Sequence, residues 1–326
     1  MKRRDAVRAF IAGCIAPGAL FAQAPGKVWH IGYLAALARP PDGSIPAPLR
    51  TALRALGYSE GQNIAYVGRW AESKTERLGA LADELLALKV DLIVAQGGPA
   101  AAAAKKTFSA TPIVAYGAGD VIETGLVASL AHPGGNLTGI NDQAAVLSAK
   151  RLEMLKELVP GARRVAVLWN TGDNAMTLRY HAIERAAKVL GVSIEPLGVR
   201  EPDDFDVALA AMSRARPDAL MMVNDSLTTM HRQRVLDYAE KQRIPAMYES
   251  ALAVRAGGLM SYGFDPEELL KLAADYIARI IEGRKPADLP VQQPNRYYLV
   301  INLGKAKILG ITIPQSLLLR AEEVIP

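Results

Sequence analysis

Short apolar runs and amphipathic stretches alternate along this chain. The apolar runs have the length of strands, and a run such as 90–95 (VDLIVA) is apolar at nearly every position. The stretches between them have helical spacing, as in 75–88, where Leu78, Leu81 and Leu85 fall on one face. Buried strands separated by amphipathic helices indicate a parallel sheet that is covered by helices on both faces.

The pattern predicts an α/β fold made of two series of strands and helices, which join near the turn-rich segment 136–142 (NLTGIND). In the first series, the predicted strands are 28–34, 63–70, 90–95 and 112–116, and the predicted helices are 46–56, 75–88, 100–106 and 123–131. In the second series, the predicted strands are 164–169, 192–199, 219–223, 245–248, 258–262 and 296–301, and the predicted helices are 144–159, 175–190, 204–215, 228–242, 266–282 and 303–309.

Two doubly wound parallel-sheet lobes, one from each series, carry their functional groups at the carboxyl ends of the strands. If these edges face each other, they form a cleft with unpaired backbone N–H groups and positive helix ends, which suits a small anionic or zwitterionic ligand. The candidate cleft residues that follow strands are Tyr33, Gly97, Gly98, Tyr116, Asp120, Asn170, Asn224, Asp225, Tyr248 and Tyr262.

Each candidate also has a purely structural interpretation. The segment 97–99 (GGP) suits a tight turn into a helix, and the same turn would let the N–H groups of Ala100 and Ala101 bind a carboxylate. Tyr116 and the later candidate tyrosines could stack on a flat ligand and bond through their hydroxyls, or could pack at a lobe interface.

The acidic and amide candidates have two interpretations as well. Asp142 is the first candidate for a partner of a ligand amine, and Asp225 is the second, although aspartates in such places often cap turns or helices. Asn170 and Asn224 follow apolar strands and suit hydrogen bonding at the edge of the cleft, or the same capping role.

Composition narrows the class of protein. The chain has 326 residues, of which 22% are charged and 6% are aromatic, and this excludes a disordered chain or a disulfide-stapled miniprotein. The formal net charge is +5, but from Pro25 onward 34 basic residues face 32 acidic ones. Because most of the excess lies near the amino terminus, the charge does not indicate nucleic acid or a membrane as a partner.

Residues 1–24 have the pattern of an export signal. Basic residues at 2–4 precede an apolar run that ends in 22–24 (AQA), a small-x-small cleavage pattern. The run is shorter than the roughly 20 residues that a membrane anchor needs. We predict a signal peptide cleaved near Ala24 and a periplasmic protein without stable membrane insertion. A twin-arginine signal, or a less favoured lipoprotein anchor at Cys14, is the alternative.

The sequence lacks signatures of catalysis and metal binding. Cleavage near Ala24 would remove Cys14, the only cysteine. The segment 259–263 (LMSYG) lacks the first glycine of a nucleophile elbow, and 117–122 lacks the third glycine of a dinucleotide fingerprint. No Walker A loop is present, and the four histidines do not have metal-ligand spacing. We predict no catalytic residue, no metal site and no cofactor.

Six segments occur in an order that is specific to one protein family. They are 56–64 (LGYSEGQNI), 69–72 (RWAE), 81–95 (LADELLALKVDLIVA), 125–139 (GLVASLAHPGGNLTG), 150–170 (KRLEMLKELVPGARRVAVLWN) and 302–325 (NLGKAKILGITIPQSLLLRAEEVI). With these segments, the chain resembles the substrate-binding proteins of ABC transporters, in the branch that includes tryptophan and tyrosine binders. The resemblance covers essentially the whole chain after residue 24.

The resemblance implies the type I periplasmic binding fold, in which two lobes close on a ligand about a hinge. The implied hinge segments lie near 139–142, 262–265 and 290–295. The implied N-terminal lobe is 25–140 with 263–290, and the implied C-terminal lobe is 141–262 with 291–326.

Two positions depart from the family pattern in loops that the resemblance places near the ligand. Gly98 stands where relatives often carry Ser or Thr, so a hydroxyl contact is absent. Glu123, within 119–125 (GDVIETG), stands where Gly is usual. Glu123 could face solvent at a helix start, or could point into the cleft and favour a cationic ligand.

The resemblance and the residues together predict an exported, monomeric binding protein. It would capture a small molecule, such as an amino acid, aromatic or otherwise, and deliver it to an ABC transporter permease. A hydrolase or other enzyme on a doubly wound scaffold is the alternative. An intracellular sensor is a third hypothesis, but the predicted export segment occupies the place where such a sensor needs a helix-turn-helix.

Overall fold

The structure, a computed structural model, describes residues 27–142 and 144–326. The predicted signal peptide, with Cys14 and Ala24, lies outside the described residues. Within the described residues, every helix is too short or too polar to span a bilayer.

A five-stranded parallel sheet organises the first lobe. Its elements in chain order are β1 (Trp29–Ala35), α1 (Ala47–Ala55), β2 (Ile64–Trp70), α2 (Leu78–Ala87), β3 (Leu92–Gln96), α3 (Gly98–Thr107), β4 (Ile113–Tyr116) and β5 (Leu137–Ile140). The strand order is β2-β1-β3-β4-β5, and every neighbouring pair is parallel.

A seven-stranded sheet organises the second lobe. The elements that follow in chain order are α4 (Ala144–Leu158), β6 (Arg164–Asn170), α5 (Asn174–Leu190), β7 (Ser193–Val199), α6 (Asp204–Ala215), β8 (Ala219–Met222), α7 (Ser226–Met230), α8 (Arg232–Lys241), β9 (Ala246–Tyr248), α9 (Ala251–Arg255), β10 (Met260–Gly263), α10 (Pro266–Ile281), β11 (Tyr298–Asn302), α11 (Leu303–Leu309), α12 (Gln315–Leu318) and β12 (Glu323–Ile325). The strand order is β12-β11-β10-β9-β8-β6-β7. β11 pairs antiparallel with β10, and β12 pairs parallel with β11.

Helices cover both faces of each sheet, as the buried apolar strands require. On one face of the first sheet, α1 and α10 pack against Ile31 and Val114, and on the other face α2 and α3 pack against Ile93. On the second sheet, α4 and α5 pack against Val167, and α6 and α8 pack against Leu220. The predicted α/β class with two lobes is therefore confirmed.

Local signals at the ends of α5 explain why this helix begins and ends where it does. The side chain of Asp173 accepts a hydrogen bond from the Ala175 N–H at 2.8 Å and so caps the amino end. Gly191 adopts the left-handed conformation (φ 65°) that ends the helix. The cap is important for the site, because Asp173 and the first turn of α5 face the other lobe.

The predicted helix over 123–131 is wrong, since this segment forms turns. Gly125 takes a left-handed conformation (φ 71°), and the N–H of Leu126 bonds to the carbonyl of Val121 instead of continuing a helix. The predicted helix over 228–242 is divided at His231 into α7 and α8. The strands β5 and β12 were not predicted. β5 (Leu137–Ile140) lies within the segment 136–142, where turn-forming residues indicated a join between the two series, and β12 has only three residues.

The chain passes between the two lobes three times. It leaves the first sheet after β5, at Asn141 and Asp142, and it leaves the second sheet after β10, before α10. It then runs along β5, where Gln292 bridges Ile140, and enters β11 of the second sheet. The use of these segments as hinges, and the exact lobe boundaries, stay predictions.

Gly139 lies in β5 directly before the first passage between the lobes. Its φ is +143°, and a Cβ at this position would lie 1.9 Å from the carbonyl oxygen of Ala115 in β4. Only glycine therefore lets the two strands approach this closely at the edge of the sheet.

We predict that Gly139→Ala lowers the free energy of unfolding by about 2 kcal/mol or more, because β4 and β5 must separate to admit the methyl group. The control is Gly79→Ala in α2, where a Cβ meets nothing within 4 Å. Because alanine has a higher helix propensity than glycine, the free energy of unfolding of the control should be unchanged or should rise by up to about 1 kcal/mol. Urea unfolding measures the free energy of unfolding of each variant. Equal free energies for Gly139→Ala and Gly79→Ala would contradict the prediction.

Candidate functional site

A cavity of about 260 Å³ lies between the two lobes. The first lobe lines it with the loops after β3 and β4, with the loop after β2 and with the start of α10. The second lobe lines it with the loops after β6, β8 and β9. The carboxyl ends of both sheets therefore face each other across the cavity, which is where open α/β sheets bind ligands.

Seven of the predicted site residues line this cavity. They are Gly97, Gly98, Tyr116, Asp142, Asn170, Asn224 and Asp225. The predicted residues that do not line it are Tyr33, Ala100, Asp120, Tyr248 and Tyr262. Glu123 is exposed and does not line the cavity either.

Tyr33 lies directly behind two residues that do line the cavity. Its hydroxyl bonds to the side-chain oxygen of Gln96 and lies 2.8 Å from the hydroxyl of Tyr116. Burial raises the pKa of Tyr33 and of Tyr116, so both hydroxyls stay protonated and can donate. Tyr33 thus orients Gln96 and Tyr116 toward the cavity, and it does so from the core.

Ala100 and Tyr248 are buried in the lobe cores. Tyr262 is half-buried and contributes its carbonyl group to a neighbouring arginine, while its ring lies 6.0 Å from the ring of Tyr297. Asp120 is half-buried and interacts electrostatically with Arg179. These residues support the walls of the cavity.

A buried network of four charged side chains forms the polar side of the cavity. Arg179 in α5 contacts Asp142 at 2.7 Å and Glu249 at 2.7 Å. The second carboxylate oxygen of Glu249 contacts Arg151 in α4 at 2.8 Å. All four residues are at least nine-tenths buried. We call this set, Arg151, Asp142, Arg179 and Glu249, the ion network.

The ion network also contacts the segments that connect the lobes. Asp142 belongs to the first passage of the chain. The Nε of Arg151 donates to the carbonyl of Tyr262 at 2.6 Å, directly before the second passage. Burial, with the Asp142 carboxylate, raises the pKa of Tyr297 in the third passage. The ion network is therefore bonded directly to the first two connections, and its charge reaches Tyr297 in the third.

Among the described residues, two atoms of the ion network have no hydrogen-bond partner. These are Oδ1 of Asp142 and Nε of Arg179, and both residues line the cavity. Burial lowers the pKa of Arg179, but the carboxylates of Asp142 and Glu249 outweigh burial and raise it above its ordinary value. Arg179 is therefore permanently charged, and the pair can offer one acceptor and one donor to a ligand.

Two further carboxyl groups lie beside the network in the second lobe. Asp225 accepts hydrogen bonds from Asn170 at 2.5 Å and from the Thr228 N–H at 2.8 Å. Burial raises the pKa of Asp225. Burial also raises the pKa of Asp173, and the charge of Asp225 adds to this shift. Neither carboxyl group forms an ion pair among the described residues, although both interact with Arg179 at longer range.

Negative charge exceeds positive charge around the floor of the cavity. The carboxyl groups that interact with Arg179 are Asp120, Asp142, Asp173, Asp225 and Glu249. The guanidinium groups that face these five carboxyl groups are those of Arg179 and Arg151 in the ion network and that of Arg232, which lines the cavity outside the network. A buried excess of negative charge is unfavourable unless a cation compensates it, so this part of the cavity suits an ammonium group.

The first lobe contributes an apolar patch to the cavity lining, next to the polar side chains of Ser73, Thr75 and Gln96. Leu37 and Pro46 line it near α1, and Phe264, Leu269 and Leu270 line it at the start of α10. Together with the ring of Tyr116, these side chains form a surface that can bury a flat apolar group. A cavity with one apolar wall and a few convergent polar groups is the usual form of a small-molecule site.

Sequence analysis missed both arginines of the ion network, although a signal was present. Met176, Arg179, Tyr180 and Ile183 lie at helical spacing on the buried face of α5, so the arginine interrupts an apolar stripe. Arg151 interrupts the buried face of α4 in the same way. A buried arginine is stable only with a buried acidic partner. The two arginines therefore predict acidic residues beside them in the core, and Asp142 and Glu249 are candidates for these partners.

Comparison with known proteins places the chain among transport proteins. A family model described as "ABC transporter substrate binding protein" matches residues 39–325. A curated relative, the tyrosine-binding protein of Clostridioides difficile, is 28% identical over 260 residues, which cover 80% of this chain and 74% of the relative.

Two solved structures have the same fold over nearly the whole chain. A conserved domain protein from Vibrio cholerae is 26% identical, with a TM-score of 0.86, and the match covers 91% of this chain and 100% of that protein. An ABC domain from Streptococcus pneumoniae, solved in complex with L-Trp, is 25% identical, with a TM-score of 0.85 and coverage of 92% and 100%. None of these relatives is described as an enzyme.

We predict that Arg179→Met lowers the free energy of unfolding by about 3–5 kcal/mol, because the carboxylates of Asp142 and Glu249 lose a buried partner. The control is Arg185→Met, an exposed position on the same helix, which should change stability by less than about 0.5 kcal/mol. Urea unfolding of both variants at pH 7 is the measurement. A small effect at Arg179 would mean that the network does not hold the fold.

We predict that Asp173→Asn makes the protein more stable at pH 7. Burial and Asp225 raise the folded pKa of Asp173, so the folded state binds its proton more tightly. The ionised group therefore destabilises the fold above that pKa, and the penalty disappears below the unfolded value of about 3.9. Asparagine still caps the helix.

The gain should consequently be present at pH 7 and absent near pH 3 in thermal unfolding. Asp265→Asn is the matched control, since Asp265 also caps a helix, α10, but lies at the surface. This control should show little change at either pH. A gain for Asp173→Asn that does not depend on pH would contradict the electrostatic explanation.

Proposed function

The chain belongs to the family of ABC transporter substrate-binding proteins, and from this we propose that it captures an α-amino acid with an aromatic side chain outside the cytoplasm. The protein would then deliver this solute, chemically unchanged, to a membrane permease. The observation that carries the proposal is that one cavity is lined both by a cluster of buried carboxyl groups and by an apolar patch. This combination matches an ammonium group and a flat side chain on the same small molecule.

The acidic side supports the amino-acid part of the proposal. Oδ1 of Asp142 lies at the cavity without a partner, and Asp173 and Asp225 add negative charge nearby. Asn170 and Asn224 line the same side and offer neutral hydrogen-bonding groups. We assign the ligand ammonium to this region, with Asp142 as its closest acceptor and Asp225 as the second.

The apolar side supports the aromatic part. Tyr116 and Phe264 supply rings, and the leucines of α10 complete the wall. The tyrosine-binding relative and the relative solved with L-Trp agree with a flat side chain. The segment 97–99 closes the cavity between these two regions.

Closure of the lobes provides the mechanism of capture. The side chain of Ser73 in the first lobe donates to the sulfur of Met230 in the second lobe at 2.7 Å. A Cβ at Gly119 would lie 2.8 Å from the Cβ of Ala175 across the lobes. These contacts exist only when the lobes are together, so a ligand that binds between the lobes favours the closed form. Opening about the three connecting segments would release it.

The family and the sequence both support export of the protein and delivery of its ligand to a permease. We propose that residues 1–24 direct export, with cleavage near Ala24, and that the mature protein acts as a monomer in the periplasm. The tips of both lobes would contact the permease. The enzyme alternative has no support in the relatives described above.

We predict that L-tyrosine and L-tryptophan each raise the melting midpoint of the mature protein, residues 25–326. A ligand at about 100 times its dissociation constant stabilises the folded state by about 2.7 kcal/mol. The matched control compounds are 3-(4-hydroxyphenyl)propionate, which lacks the amine, and a neutral sugar such as allitol. Both should give no shift at the same concentration, because neither supplies an ammonium group. Turnover of any compound, or a shift by the sugar alone, would contradict the proposal.

A further inference from the structure

Arg232 is a cavity residue that neither the ion network nor the fold accounts for. It lies in the second lobe at the first position of α8, and it lines the cavity near Thr229 and opposite Ser73. One of its terminal nitrogens donates to the carbonyl of Thr229 at 2.9 Å. Its Nε is buried and has no hydrogen-bond partner.

Arg232 has no direct ion-pair partner among the described residues. Among residues 27–142 and 144–326, no carboxylate lies within ion-pair distance of Arg232, whereas Arg151 and Arg179 each have one or two such partners. Its position makes this arrangement less favourable, because a cation in the first turn of a helix opposes the positive end of the helix dipole. The hydrogen bond to Thr229 in the last turn of α7 satisfies one donor of Arg232, but it leaves Nε without a partner among the described residues.

The neighbouring Arg234 shows what a structural arginine does on the same helix. It pairs with Asp206, donates to the carbonyl of Pro202 at 2.7 Å and lies over the ring of Phe205. It does not line the cavity. The two arginines lie in the same helical turn but differ in their contacts. Arg234 is bonded within the lobe, whereas Arg232 lines the cavity.

We propose that Arg232 binds the carboxylate of the ligand and so determines the class of solute that the protein accepts. This inference rests on the proposed function, since it concerns the same cavity. The acidic side of the cavity takes the ammonium group and Arg232 takes the carboxylate, so the two poles of an amino acid have separate partners on the second lobe. A guanidinium group is suited to this role because its donors match the two oxygens of a carboxylate.

The first experiment compares L-tyrosine with L-tyrosine amide, which keeps the ammonium group and the ring but has no carboxylate. By isothermal titration calorimetry, the wild-type protein should bind the amide about 10- to 100-fold more weakly than the acid. Arg232→Met should lose about the same factor for L-tyrosine and should no longer prefer the acid over the amide. Arg234→Met should keep the wild-type preference.

An unchanged preference in Arg232→Met would overturn the inference and would assign the carboxylate to the N–H groups at the start of α3. If the wild-type protein binds neither compound nor L-tryptophan, the proposed function fails instead. In that case, the role of Arg232 is tested by a second measurement, which needs no ligand.

The second experiment compares melting midpoints of the ligand-free proteins. Arg232→Met should raise the midpoint by about 1–3 °C, because it removes a buried and unpaired donor from an unfavourable helix position. Arg234→Met should lower the midpoint, because it breaks the contacts with Asp206 and Phe205. A midpoint that falls equally in both variants would show that Arg232 is structural and would overturn the inference.

Discussion

The ion pair between Arg179 and Asp142 is the interaction on which the site depends. Burying a guanidinium and a carboxylate is unfavourable unless their geometry is good and their remaining groups are bonded. Glu249 and Arg151 meet part of this requirement by extending the pair into a network at contacts of 2.7–2.8 Å, while Oδ1 of Asp142 and Nε of Arg179 have no hydrogen-bond partner among the described residues. Because Asp142 lies where the chain first passes between the lobes, the same charges that hold the fold also set the position of the cavity floor.

The cavity combines charges that are satisfied with charges that are not. The ion network is internally paired, whereas Asp173, Asp225 and Arg232 have no ion-pair partner among the described residues. Unpaired charges in a partly buried cleft lower the stability of the empty protein, and a zwitterionic ligand would compensate them when it binds. If the ligand binds as proposed, the stability lost to these unpaired charges would be recovered on binding, in the way that functional sites commonly trade stability for activity.

The fold could be predicted from the sequence, because long apolar strands and periodic helices carry a strong local signal. Much of the cavity lining followed from one rule, that ligand residues come after strands, and this rule located Gly97, Tyr116 and Asn170. The rule does not distinguish a side chain at the surface of the cavity from one behind it. Tyr33 ends the same sheet but lies behind Tyr116, and that difference depends on packing between strands that are distant in the sequence.

Asp142 shows that a prediction made for one residue at a time leaves out the partners that the fold brings to that residue. From the sequence it is a carboxylate at the cleft, with both oxygens available for a ligand amine. In the structure one oxygen is committed to Arg179, and only Oδ1 remains for a ligand. A carboxylate that is held in this way is a weaker acceptor than a free one, but it is fixed in direction by its contact with Arg179 at 2.7 Å. The arginine on the buried face of α5 thus orients an acidic side chain at the edge of the cavity, and the proposed role of Asp142 in binding an ammonium group depends on that orientation.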